Sequence, residues 1–92
     1  MKNNRGIDFE NLKKGDKVTF EYDRLFGVDY SPPLIITGYV SSSITCWNTR
    51  PKTSYDYGVV VTGIKFKNEE IASKIKFTEP TMISLDYIIK IN

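Results

Sequence analysis

Ile83-Ser84-Leu85-Asp86-Tyr87-Ile88-Ile89-Lys90-Ile91 decides the fold class. Ile83, Leu85, Tyr87, Ile89 and Ile91 recur at every second position. Successive side chains of an extended chain point to opposite faces, so five matches in a row argue for a half-buried strand and against a helix. The same period recurs upstream. Lys17 to Asp23 alternates, with Val18, Phe20 and Tyr22 on one face. Leu34 to Val40 has apolar residues on both phases, Leu34, Ile36 and Val40 on one and Ile35 and Tyr39 on the other. That pattern predicts a strand covered on both sides, with Gly38 marking a bend or a close backbone approach. Val59 to Phe66 is the longest β-rich run, with Val60, Ile64 and Phe66 in one phase.

The segments between these strands read as turns. Residues 1–6 have no apolar periodicity and are expected to be a flexible end, with a single domain over residues 7–92. Ile7, Phe9 and Leu12 form the apolar side of a short turn before Gly15-Asp16. Arg24 to Pro33 reads as a ten-residue loop, because Gly27 and the Pro32-Pro33 pair bend the chain and exclude a ladder position. Ser41-Ser42-Ser43 is a turn before a short return strand, Ile44 to Trp47, and Asn48 to Asp56 is a polar loop. Asn68 to Lys74 is the best helical stretch, with Asn68 as the cap. Ile75 and Phe77 are expected to pair briefly before Pro80 interrupts. Short β segments, turn signals and little helix predict a mainly β fold, a small antiparallel barrel or sandwich.

Leu12-Lys13-Lys14-Gly15-Asp16-Lys17-Val18 resembles the opening turn of SH3-like barrels, where a leucine, polar residues and Gly-Asp lead into the first strand. Gly38-Tyr39-Val40 resembles the Gly-x-Val of their second strand. The resemblance covers the first half of the chain and implies a five-stranded SH3-like barrel with one short helix or helical turn. Members of that fold bind proline-rich peptides, other proteins, RNA or DNA, so it implies binding and no particular activity. The Ala-Leu-Tyr-Asp-Tyr pattern of the peptide-binding type is absent, and proline-peptide binding gains no support.

Composition narrows the chemistry. The 92 residues include 13 Lys plus Arg, 11 Asp plus Glu, a single cysteine and no histidine. A chain this short buries only about 60–65 % of its unfolded surface, which leaves no room for a deep internal cleft. Without histidine it lacks the commonest general base and metal ligand. Cys46 has neither a disulfide partner nor a histidine to activate it, and is expected to pack in the core. The carboxylate pairs Asp8/Glu10, Asp23/Asp29 and Glu69/Glu70 read as solvated turns and a helix start, and no glycine-rich phosphate loop or nucleophile elbow is present. The expectation is a non-enzyme with no metal or cofactor. No apolar run has signal-peptide or membrane-spanning length, so a cytoplasmic protein without membrane attachment is expected.

Net charge is only +2, yet residues 45–76 carry six basic against three acidic residues. Within them lies Trp47-Asn48-Thr49-Arg50-Pro51-Lys52-Thr53-Ser54-Tyr55-Asp56-Tyr57. Trp47, Tyr55 and Tyr57 offer faces on which a base stacks, worth about 1–3 kcal/mol per base, while Arg50 and Lys52 offer charge to phosphate. Lys65 and Lys67 share a strand phase and extend this basic surface if their strand lies beside the loop. The plainer reading is a polar loop whose flanking Trp47 and Tyr57 complete the core. Protein contact is a third reading, since Trp, Tyr and Arg are enriched at interface hot spots. Leu25 to Pro33, with Phe26 and Tyr30, is apolar and suits a lid over one barrel end or a protein contact. The functional expectation is a binding module for a nucleotide or nucleic-acid strand. The alternative is a small inhibitor or adaptor of the kind that phages and mobile elements encode, using Phe26 and Tyr30 against a host protein. A homo-oligomer with a site between copies remains open.

Overall fold

Why these residues close a sheet is seen best at its two ends. In chain order the elements are β1 (Lys17–Leu25), β2 (Val28–Val40), β3 (Thr45–Cys46), a 3-10 turn (Ser54–Asp56), β4 (Tyr57–Phe66), α1 (Glu69–Ala72), β5 (Thr81–Ser84), a second 3-10 turn (Leu85–Tyr87) and β6 (Ile88–Ile91). The structure, a computed structural model, describes residues 2–72 and 74–92, so Met1 and Ser73, the latter within the expected helix, lie outside the described residues. β1 pairs with β2 and β6, β2 with β4, and β4 with β5, all antiparallel. β5 and β6 therefore sit at opposite ends of the ladder, yet three residues join them. Four Cα steps reach at most about 14 Å, so the sheet must curl until its ends nearly meet. The result is a half-barrel, mainly β, with half the chain in strands. The expected five strands become six because the C-terminal run divides into β5 and β6 around the second 3-10 turn, while the expected short return strand is the two-residue rung β3, which pairs Thr45 with Gly58 and Cys46 with Tyr57.

Inside the curl lie Val18, Phe20, Ile36, Val59, Val61, Ile83, Leu85 and Ile88, all fully buried, with Phe9, Leu12, Leu34 and Val40 around them. Burying each such side chain contributes about 1.5–3 kcal/mol. The alternation seen in β1 holds through Val18 and Phe20. β2 is fully covered on one side and partly on the other: Leu34, Ile36 and Val40 are buried, whereas Ile35 is half-buried and Tyr39 exposed. β4 departs from its expected phase. Thr37 pairs with Lys65 and Tyr39 with Thr62, which leaves one extra residue on β4 beside Gly63, whose φ is 64°. Such a bulge exchanges the two faces of a strand. Val59 and Val61 face the core before it, Ile64 and Phe66 pack on the core after it, and Val60 does not share their face.

The C-terminal run is also broken. Ser84 Oγ accepts from Asp86 N at 3.3 Å and caps the second 3-10 turn. Three residues per turn shift the buried positions from Leu85 to Ile88, so the period-two run is two strands with a turn between them. The expected loop 24–33 is mostly strand. Leu25 pairs with Val28 across Phe26-Gly27, both at positive φ (51° and 78°), as in the primed turns whose twist matches the flanking strands. Tyr22 pairs with Leu34 and Arg24 with Asp29, so Tyr30 to Pro33 bulge out opposite Asp23, which keeps the two prolines off the ladder.

Residues 2–6 carry specific contacts. Asn3 is buried; its Nδ2 donates to Leu85 O (2.7 Å) and Ile88 O (2.8 Å), and its Oδ1 accepts from Arg5 N and Ile7 N. Asn68 Oδ1 accepts from Glu70 N at the start of α1, as expected of a cap. Ile75 and Phe77 form no strand; they pack half-buried on the core, and Glu79 Oε1 accepts from Ile64 N at 2.6 Å to pin this segment to β4.

Candidate functional site

Asp56 organises the 47–57 loop. Its Oδ2 accepts from Lys52 N (2.8 Å) and Thr53 N (3.1 Å), and its Oδ1 accepts from Asn48 Nδ2 (3.2 Å). Those hydrogen bonds hold its carboxyl below the ordinary aspartate value, because each favours the charged form. Thr53 caps the 3-10 turn by accepting from Tyr55 N, and Trp47 N donates to Asp56 O at 3.1 Å. The loop is thus tied to itself. Its turn then docks onto the second 3-10 turn: Ser54 Oγ donates to Asp86 Oδ1, and Ser84 Oγ donates to Tyr55 O at 3.1 Å. Asn4 Nδ2 also donates to Asp86, at 3.0 Å, and Arg5 pairs with Glu21 at 2.8 Å.

This docking joins rings from distant parts of the chain. Trp47 meets Tyr55 edge-on at 6.2 Å between centroids, and Tyr55 meets Tyr87 edge-on at 6.3 Å. Tyr87 lies 4.3 Å from Tyr22, Tyr22 lies 6.3 Å from Phe77, and Phe77 lies 6.2 Å from Phe26 and 5.8 Å from Phe66, on which it stacks. These separations are those of aromatic pairs in contact. One continuous aromatic ridge runs from Trp47 to Phe26. Trp47, Tyr55 and Phe26 are exposed (45, 52 and 72 %), and the rings between them are half-buried. Burial, reinforced by the neighbouring Tyr87 and Tyr55 hydroxyls, pushes the Tyr22 phenol up to about 12. Burial also raises Tyr87, with Tyr55 and Asp86 adding to the effect.

The residues singled out from sequence fall into three places. Trp47, Arg50, Lys52 and Tyr55 are exposed on the loop. Tyr57 is half-buried against the core and pairs with Cys46, so it shapes the site from beneath. Lys65 and Lys67 are exposed but lie toward the far end of β4, about 26 Å along an extended strand from Tyr57 to Lys65. They are not beside the loop. Lys65 lines a groove of about 660 Å³ with Phe66, Lys76 and Phe77, while Lys67 lines a separate groove of about 960 Å³ with Tyr30, Pro32, Pro33 and Ile71. Phe26 stands at the hairpin tip and Tyr30 is half-buried in the β2 bulge. Cys46, expected in the core, is exposed, because a two-residue edge rung has no layer over its outer face; its Sγ donates to Asn48 O at 3.0 Å.

Tyr22, Tyr87, Phe77 and Lys76 were not legible as site residues. Tyr22 and Tyr87 sit on apolar strand phases, and only the curl of the sheet brings them together. Among the described residues, the side chains of Arg50, Lys52, Lys65 and Lys76 form no ion pair. No cluster of three potential metal ligands occurs among them, and no helix is long and apolar enough to cross a membrane. No family model, curated protein or solved structure matches the chain.

Proposed function

We propose that the protein is a non-enzymatic binding module that takes a nucleic-acid strand on the 47–57 loop. The observation carrying this reading is the exposed Trp47–Tyr55 pair in a loop that also exposes Arg50 and Lys52 and whose one carboxylate, Asp56, is engaged by internal donors. Trp47 and Tyr55 stack bases, Arg50 presents its planar fork to phosphate oxygens, and Lys52 adds a point charge. Tyr57 supports the loop from the core side.

Fold geometry supports the same class. The strand order β5-β4-β2-β1-β6, with a 3-10 turn joining the last two strands in sequence, is consistent with an SH3-like barrel. That fold hosts many small binding modules, so it is compatible with this function and does not select it. A reducing, cytoplasmic setting suits an exposed lone thiol at Cys46.

Trp47 is the sole tryptophan, so its fluorescence reports the site directly. Short single-stranded oligonucleotides and mononucleotides are titrated at two salt concentrations. The expected result is salt-sensitive quenching that weakens strongly in Arg50→Ala. Absence of any response to nucleotides sinks the reading.

A second reading rests on the apolar hairpin tip, where Phe26 and Val28 are both exposed (72 and 51 %). These residues, with Tyr30, suit a host-protein contact of an inhibitor or adaptor. Its signature is binding that is insensitive to salt and lost on changing Phe26.

A further inference from the structure

Phe26 occupies a position that disfavours it. Its φ of 51° is left-handed, a conformation that costs a residue with a Cβ about 1–2 kcal/mol and that asparagine or glycine adopts more readily. Its ring is 72 % exposed, so burial returns little; among the described residues the ring it meets is Phe77, at 6.2 Å. A bulky ring held in the solvent at the tip of a constrained turn is suited to contact with something outside the chain.

The ridge links that tip to the loop. From Phe26 the rings of Phe77, Tyr22, Tyr87, Tyr55 and Trp47 follow one another with no step longer than 6.3 Å. Cations stand at both ends, Arg50 and Lys52 on the loop and Lys65 and Lys76 in the groove beside Phe77. Carboxylates along the way are held by internal donors: Glu21 by Arg5, Asp86 by Ser54 and Asn4, Glu79 by Ile64 N and Asp29 by Arg24. The ends of the ridge thus combine exposed rings with cations whose side chains form no ion pair among the described residues; Lys52 lies in the field of Asp56, and Glu79 shares the groove with Lys65 and Lys76.

We infer that the ligand is an unpaired nucleic-acid strand of about four to six nucleotides, laid along the ridge from Trp47 to Phe26, with Phe26, Lys65 and Lys76 forming a second subsite. This inference rests on the proposed function of the loop and extends it. A mononucleotide fills only the loop end. A duplex keeps its base faces stacked within itself and offers none to the rings. Lys65, too far from the loop to serve the same phosphate as Arg50, meets a phosphate further along the strand.

The test is a length series of thymidine oligonucleotides, from two to eight residues, titrated against the wild type, Phe26→Asn, the double variant Lys65→Ala/Lys76→Ala, and Arg50→Ala. Asparagine keeps the turn favourable while removing the ring, and thermal melting verifies that each variant is folded. Affinity is expected to rise steeply with length and level off near six residues. Phe26→Asn and the lysine pair each weaken the octamer about tenfold and leave the dinucleotide unchanged, whereas Arg50→Ala weakens both. Octamer affinity unchanged in Phe26→Asn and in the lysine pair, with Arg50→Ala still impaired, overturns the second subsite and leaves the loop reading standing. Absence of binding at every length overturns both and points to a protein ligand.

Discussion

The six-membered ring of Trp47 lies on the backbone of Gly58, in the space that a side chain at that position would fill. A Cβ there would also stand 2.7 Å from Ile83 O, so neither neighbour leaves room. Gly58 is therefore the seat of Trp47, and β4 fixes the direction in which the indole faces the loop. Gly58→Ala is expected to lower stability by about 1–3 kcal/mol, the usual cost of overpacking, and to shift Trp47 emission. Denaturant unfolding followed by circular dichroism and by fluorescence checks both effects in one series.

The hydrogen bonds to Asp56 make the loop acid-sensitive. Its folded-state value lies below the ordinary 3.8, so the stabilisation is fully present above that value and is lost as pH falls through the folded value. Trp47 emission is expected to change in a step below about pH 4, and Asp56→Asn is expected to remove the part of the step due to this carboxyl. A fluorescence titration from pH 6 to pH 2 measures it.

At the other end of the pH scale, Tyr22 is pushed up to about 12. Unfolded tyrosine ionises near 10, so the unfolded chain loses its proton first and stability falls as pH rises from about 10 toward 12. Ultraviolet titration of the phenols is expected to show a component near 12 that vanishes in Tyr22→Phe.

Asn3 closes the gap between the amino terminus and the second 3-10 turn through two donated hydrogen bonds, to Leu85 O and Ile88 O. Asn3→Ala leaves both carbonyls without that partner and is expected to cost about 1–3 kcal/mol by chemical denaturation. Deleting residues 1–5 is expected to cost at least as much.

Much of the fold was legible because binary patterning is local. Val18 with Phe20, and Leu34 with Ile36, show their buried face in the chain itself. Where the period breaks, the reason is an irregularity that patterning does not encode: the bulge at Gly63 exchanges the faces of β4, and the cap at Ser84 turns a five-fold alternation into a strand, a 3-10 turn and a strand. The hairpin at Phe26-Gly27 was hidden because a phenylalanine is an unusual choice for a turn position with positive φ. Of the site, the exposed loop residues Trp47, Arg50, Lys52 and Tyr55 could be read from composition. The ridge could not, since Tyr22, Phe77 and Tyr87 are far apart in sequence and meet only through the curl of the sheet.

The function turns on whether the exposed indole and the loop cations hold a charged strand. The deciding measurement is the salt dependence of Trp47 quenching by a thymidine octamer, in the wild type and in Arg50→Ala. Affinity is predicted to fall linearly with salt on logarithmic axes, with the slope reduced by about one in the variant as one phosphate contact is lost. Quenching that is absent, or that is unchanged by salt and by the loss of Arg50, would contradict it.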